Sequence, residues 1–396
     1  MDTYPYRTYA EINLNKLENN LRQVREFVGD KCKIMFVLKG DAYGHGTPVC
    51  AKFSEHLVDG FAVATMEEAL SVRRVSSEKP VFLLGALQAD SDVITAANKK
   101  ITISAYSLNY MYRVNQILAD TRKTIDCHIK IDTGMNRTGL FARGGNFAEA
   151  VEQAERIYFL PQVRVAGIYT HFSCADNLDP DDVHFSQGQY SAFNSVLKAL
   201  EKKGYNLGIR HCVSTGPLLR HPDWKMDMVR IGMLGYGQSI DEFHAAEMRI
   251  SPIMCWHSKI VSVLTLEPGE SVSYGRIYRT VGREKIGVIS VGFADGYNRS
   301  YSNRAQIIVG GEKVRQCGKV CMDFTMVNIT GIDNVKEGDD VILLGENEAG
   351  LCITPDNLSS ITEYGVNGWT TCQISSRVPR VYIYNNEVVE MRMLFH

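Results

Sequence analysis

The sequence predicts eight parallel strands closed into a β/α barrel, followed by a smaller, mostly β domain. Three observations predict it. Over roughly 230 residues, short apolar runs alternate evenly with helical patterns, about eight times over, which is the rhythm of repeated βα units on a parallel sheet. No GxGxxG turn occurs among them, which favours the barrel over a doubly wound sheet. After Tyr236 the helical spacing gives way to short apolar runs separated by turn residues. A chain of 396 residues also exceeds one ordinary core. We therefore divide it into residues 1–240, the barrel, and 241–396, the β-rich domain.

The first helix is marked by Leu17, Leu21, Val24 and Val28 at helical spacing, with Asn15 as its N-cap candidate, Glu18 three residues on, and Gly29 at its stop. It leads into an apolar run from Ile34 to Leu38, which has buried-strand character and delivers Lys39 to a glycine-punctuated turn carrying Tyr43 and His45. Seven further runs follow at 60–65, 80–85, 101–107, 125–133, 163–171, 209–215 and 226–232. Helical patterns such as 66–76, 146–157 and 183–203 fill most of the intervals. In the second domain, strands are expected at 258–264, 286–291, 305–309, 327–329 and 340–344. Their connections carry Glu267-Pro268-Gly269-Glu270, Gly310-Gly311 and Glu337-Gly338-Asp339, which is turn chemistry.

Composition narrows the function. Hydrophobic residues make up 45% and charged ones 22%, which suits a large core, and a net charge of -2 leaves no nucleic-acid footprint. The N-terminus lacks an apolar h-region and no run of about 18 apolar residues occurs, so a cytoplasmic protein with no membrane partner is expected. Ten cysteines are scattered without a disulfide framework. Cys317 and Cys321, a close pair, lack the spacing and the neighbouring pair of a zinc site. Reduced core thiols and no metal are expected.

In a barrel, chemistry sits where the strands end, and the loops after strands seven and eight commonly hold a phosphate. Here those loops read Ser214-Thr215-Gly216 and Arg230-Ile231-Gly232-Met233, offering hydroxyls and glycine-flanked amides to an anion. Lys39 ends the first strand, where burial penalises its charged form and frees an amine for attack on a carbonyl. An amine and a phosphate site together suggest pyridoxal 5'-phosphate. Plainer readings stand beside this one: Lys39 as an ion-pair partner of Asp41, Ser214 and Thr215 as turn residues, Arg230 as a salt-bridge partner and His171 as a core histidine.

Over nearly its whole length the chain resembles the alanine racemases. Lys-Gly-Asp-Ala-Tyr-Gly-His-Gly from Lys39 resembles the cofactor-lysine motif, and Lys-Ile-Asp-Thr-Gly-Met-Asn-Arg-Thr-Gly from Lys130 the loop with the substrate-facing arginine, Arg137. Thr170-His171-Phe172, Met228-Val229-Arg230-Ile231-Gly232, Val272-Ser273-Tyr274-Gly275, Cys321-Met322-Asp323 and Ser376-Arg377-Val378-Pro379-Arg380 are similar to family motifs in the family's order. The resemblance implies a two-base racemase acting through a pyridoxal-phosphate aldimine on Lys39, with Lys39 and Tyr274 as bases on opposite faces of the substrate. It implies that Arg230 meets the ring nitrogen with support from His171. Tyr43, Ser214, Thr215, Gly232 and Met233 would hold the phosphate, while Arg137, Met322 and Asp323 would face the substrate. Lys130 can be carbamylated in the family, which would orient Arg137. The family is a head-to-tail homodimer in which Tyr274, Met322 and Asp323 serve the partner's barrel, and it supplies D-alanine as a cell-wall precursor.

The chain departs from the family pattern at Gly40-Asp41, where Ala-Asn is more common, at Asn136 and Thr138 around Arg137, and at Ser214-Thr215, where Asn-Ser is usual. Asn367-Gly368-Trp369 stands where the family has Asn-Tyr-Glu, so the entrance tyrosine is replaced. That opens serine or a broader set of small amino acids as alternatives to alanine. A barrel-type amino-acid decarboxylase would carry a second-domain cysteine signature that is not evident here. A noncatalytic pyridoxal-phosphate carrier would have no use for the Tyr274 motif.

Overall fold

Strands covered on both faces need apolar side chains at successive positions. Ile34, Met35, Phe36 and Val37 meet that need in Lys33–Val37. In the computed structural model, which describes residues 6–238, 248–362 and 367–393, seven more strands follow. They are Gly60–Val63, Val81–Leu83, Ile101–Ala105, Ile125–Asp132, Val163–Tyr169, Ile209–His211 and Met228–Ile231. The first seven pair in parallel in chain order, and Met228–Ile231 returns to the first strand with Met228 opposite Lys33 and Ile231 opposite Phe36. The seam between the last two is bridged by backbone bonds from Arg230 N to Val213 O and from Asp227 N to Arg210 O, both at 3.1 Å. All eight expected runs are therefore strands, and the barrel is nearly closed. The division at 240/241 and the side chain of Trp369 lie outside the described residues.

The first helix spans Leu14–Val28 and buries Leu14, Leu17, Leu21, Val24 and Val28. Its N-cap is Asn13, whose side chain accepts from Lys16 N, and not Asn15 as the sequence suggested. Asn13 ends the strand Thr8–Asn13 and so already has the extended backbone that a cap requires. Asn15 instead exchanges bonds with Asn385 at 2.9 and 2.7 Å. Gly29 stops the helix at φ +76°, as expected of a residue without Cβ.

In the second domain each of the five expected runs overlaps a strand: Met254–Leu266, Glu284–Ile289, Gln306–Val309, Thr325–Asn328 and Asp340–Glu346. Gly310 and Gly311, at φ +58° and +83°, close a two-residue hairpin that sets Val309 opposite Glu312. Among the described residues, four strands of four or more residues were not anticipated: Thr8–Asn13, Glu312–Arg315, Arg380–Tyr384 and Glu387–Arg392. Thr8–Asn13 lies between Met254–Leu266, antiparallel, and Arg380–Tyr384, parallel, so the chain's beginning completes the second domain's sheet. Among the described residues no helix is long and apolar enough to cross a membrane.

Candidate active site

The turn after Lys39 has an unusual backbone. Gly40, Asp41, Ala42 and Tyr43 run consecutively at φ +65°, +50°, +55° and +54°, a left-handed turn closed by Ala42 N to Leu38 O at 2.8 Å and Gly44 N to Gly40 O at 2.9 Å. Residues with a Cβ pay roughly 1–2 kcal/mol each in that region, so the surroundings must over-determine it. They do so from several sides. A Cβ on Gly44 would lie 2.1 Å from Thr371 O, so the second domain presses directly on the turn. Arg380 donates to Gly44 O at 3.2 Å. Asp41 accepts from Thr47 N at 2.8 Å and pairs with Arg392 at 3.3 Å, engaging these two groups and not Lys39.

A cleft of about 550 Å³ opens at the carboxyl ends of the barrel strands. Lys39, Tyr43, Lys130, Arg137, His171, Ser214, Thr215, Arg230, Gly232 and Met233 all line it. Lys39 as a residue is exposed in the open cleft, yet desolvation at its amine first, and then the guanidinium of Arg137, pulls that amine below the ordinary lysine range. Lys130 is lowered to about 8 by the same two causes, and its Nζ donates to Thr138 Oγ1 at 2.6 Å. Burial, reinforced by Arg230, holds His171 well below its usual value and so neutral.

Arg230 is buried at the cleft floor and donates to His211 Nδ1 at 2.7 Å, Thr170 O at 3.0 Å, Cys212 O at 3.2 Å and His171 Nδ1 at 3.3 Å. A guanidinium only donates, so His211 Nδ1 accepts and the His211 proton sits on Nε2. From there it reaches His128 Nδ1 at 2.8 Å. Tyr169 stacks on His211 with centroids 4.9 Å apart and shares a 2.7 Å bond with Ser104 Oγ. His128, His211 and Tyr169 were not singled out from the sequence. Their signal was a polar residue two positions from another within a strand, as with His128 and Lys130, which places both on one face.

The opposite side of the cleft fits a phosphate. Thr215 Oγ1 is buried without a hydrogen-bond partner, and Ser214 precedes the short helix Thr215–Arg220 without capping it, which leaves the first amides of the turn open. A Cβ on Gly232 would lie 2.8 Å from Tyr43 Oη, so only glycine leaves room for the hydroxyl there. An amine, a buried cation and an anion cradle around one cleft suit a phosphate-bearing aldehyde.

Tyr274, Met322 and Asp323 are not in that cleft. They lie together on the second domain, where Ser273 Oγ donates to Lys319 O at 2.6 Å and Ala294 N donates to Met322 O at 3.1 Å. Asp323 is held by Arg377 at 2.7 Å. Tyr274 is 67% and Met322 56% exposed, a large apolar outlay on one face of a single chain.

Fold and cleft define a two-domain barrel enzyme that sets a suppressed lysine charge against buried cations. The profile described as "Alanine racemase, N-terminal domain" matches residues 12–240, and "Alanine racemase, C-terminal domain" matches residues 253–382. The chain is 36% identical over 386 residues to "Alanine racemase 2" of Caldanaerobacter subterraneus subsp. tengcongensis, covering 97% of each. The structure of alanine racemase from Clostridium difficile 630 superposes with a TM-score of 0.89 at 31% identity, covering 100% of both chains. The same enzyme in complex with cycloserine gives a TM-score of 0.86, again over 100% of both. The chain belongs to the alanine racemase family.

Proposed function

We propose that the chain interconverts L- and D-alanine, using pyridoxal 5'-phosphate and one base on each face of the substrate. What carries this reading is the presence in one cleft of Lys39, held toward its neutral form, and Arg230, fixed by four acceptors. When bound, the cofactor supplies an electron sink for the Cα–H bond. Thr215 Oγ1, Tyr43 Oη and the amides beside Ser214, Gly232 and Met233 anchor its phosphate. Arg230 would be the residue that meets its ring nitrogen and, being always charged, would disfavour protonation there and so restrain side reactions. Arg137 holds the substrate carboxylate. Lys39 Nζ takes or returns the Cα proton on one face.

Tyr274, the base this reading assigns to the other face, does not line this chain's own cleft. The partner subunit's Tyr274 fills that role in a head-to-tail homodimer, with Met322 and Asp323 of the partner subunit beside the substrate. The exposed apolar side chains of Tyr274 and Met322 support this, since association would cover them. Lys130 is the modification site: at a pKa of about 8 a minor but usable fraction of its amine is neutral near physiological pH and open to CO₂. The resulting carbamate would attract Arg137, where an ammonium repels it. The test is incubation of the purified protein with single L-amino acids in deuterated water, following chirality and Cα deuterium together. Alanine should invert with deuterium uptake. Exchange without inversion, or a faster reaction with leucine or arginine, would count against the reading.

A further inference from the structure

Glu68 belongs to no catalytic motif singled out above, yet its side chain holds the turn that carries Lys39. Glu68 Oε1 accepts from Gly40 N at 2.7 Å and from Asp41 N at 3.3 Å, while Oε2 accepts from Ala64 N at 2.8 Å and Thr65 N at 3.3 Å. Backbone amides from two consecutive barrel loops thus converge on one carboxylate. Thr65 caps the helix Met66–Val75, and a glutamate at its third position needs to reach back only to the cap amide. The bonds to Gly40 and Asp41 go beyond what the helix requires. They fall on the first two of the four left-handed residues, immediately after Lys39, where strained backbone persists only if its neighbours fix it.

We propose that Glu68 is a positioning residue for Lys39: its carboxylate pins the left-handed turn to the exit of the strand Gly60–Val63 and so fixes the direction in which the lysine side chain enters the cleft. The inference rests on the reading of Lys39 as a base only for its kinetic consequence. Glutamine cannot substitute, because its amide nitrogen would face two N–H donors and one pair of backbone amides would be released.

The experiment compares the full-length chain with its Glu68→Gln variant, both stripped of cofactor, by the pH midpoint for acylation of Lys39. The groups that face this amine are Arg137, Cys372, Arg230, Glu68 and His171. If Glu68 pins the turn, the freed amine moves away from the guanidinium groups of Arg137 and Arg230 and its midpoint rises toward the ordinary lysine value. Hydrogen exchange should quicken at Gly40 and Asp41 while Gly60–Val63 stays protected. After reloading with cofactor, kcat should fall by about 10²-fold with KM for alanine unchanged, as for a misplaced reacting group. If Glu68 is merely a nearby negative charge, its removal lowers the midpoint. A lowered or unmoved midpoint overturns the proposal. Should the variant fail to fold, the unaltered chain decides: Gly40 and Asp41 are exposed, so free exchange of their amides would show that Glu68 does not hold them. Alanine conversion by the unaltered chain tests the proposed function separately.

Discussion

Gly232→Ala puts a single methyl group into the phosphate side of the cleft. Gly232 sits at φ -112° and ψ -90°, so no positive φ demands glycine there, and what the methyl meets is the Tyr43 hydroxyl. The new Cβ would lie 2.8 Å from Tyr43 Oη and 3.2 Å from its Cζ. Since non-bonded heavy atoms settle at roughly 3.5 Å, the hydroxyl has to retreat by about 0.7 Å. Tyr43 packs against the ring of Tyr236 at 5.2 Å between centroids, so the ring cannot simply swing aside. A displaced hydroxyl loses its bond to the phosphate, and a hydrogen bond to a charged group contributes roughly 1.5–3 kcal/mol, or about 10- to 100-fold in Kd. The assay is titration with pyridoxal phosphate in a Lys39→Ala background, so that covalent capture does not mask the change. Tyr43→Phe removes the same bond, so the double variant should bind no more weakly than the weaker single one. Unchanged binding in Gly232→Ala, or effects that multiply in the double variant, would refute the reasoning.

Tyr274→Phe should slow racemisation in both directions by roughly 10²- to 10⁴-fold, while Cα exchange with solvent survives from D-alanine and largely vanishes from L-alanine; equal exchange from both enantiomers would refute Tyr274 as the second base. Lys130 should be carbamylated increasingly as pH rises through about 8, because only the neutral amine reacts with CO₂. A ¹³C signal from labelled bicarbonate, absent in Lys130→Ala, checks this, and a signal that grows on acidification would contradict it. Arg230→Glu should slow racemisation and raise pyruvate formation by transamination, since a carboxylate favours a protonated ring nitrogen; unchanged partitioning between the two would count against the contact.

The barrel was legible because strands buried on both faces write themselves as continuous apolar runs, and Lys33–Val37 is such a run. Thr8–Asn13 was not, because Thr-Tyr-Ala-Glu-Ile-Asn is short and its partners, Ser258 and Arg380 among them, lie some 250 to 370 residues away in the chain. Glycines at positions 40, 44 and 46 announced a turn after Lys39. They did not announce that Asp41, Ala42 and Tyr43 would be left-handed, since that conformation is imposed by tertiary contacts against the residues' own preference. The Arg230 network was half legible. His171 and Arg230 stood in recognisable motifs, whereas His128 and His211 look, one at a time, like ordinary core histidines until the barrel closes and brings them within 2.8 Å.

Thr8–Asn13 has a consequence for how the molecule is made. The strand leaves the ribosome before any of the barrel, yet both of its neighbours in the sheet are synthesised after the whole barrel. At roughly 5–20 residues per second, Tyr384 follows Thr8 by about 20–75 s. During that interval the barrel sequence can close, while the segment that will bind the two ends of the protein together waits as an unpaired edge. The barrel is, in topological terms, an insertion between the first strand of the β domain and the rest of it. A nascent chain halted after the barrel would therefore carry a sticky N-terminal strand, open to chaperones or to the same segment of a neighbouring chain.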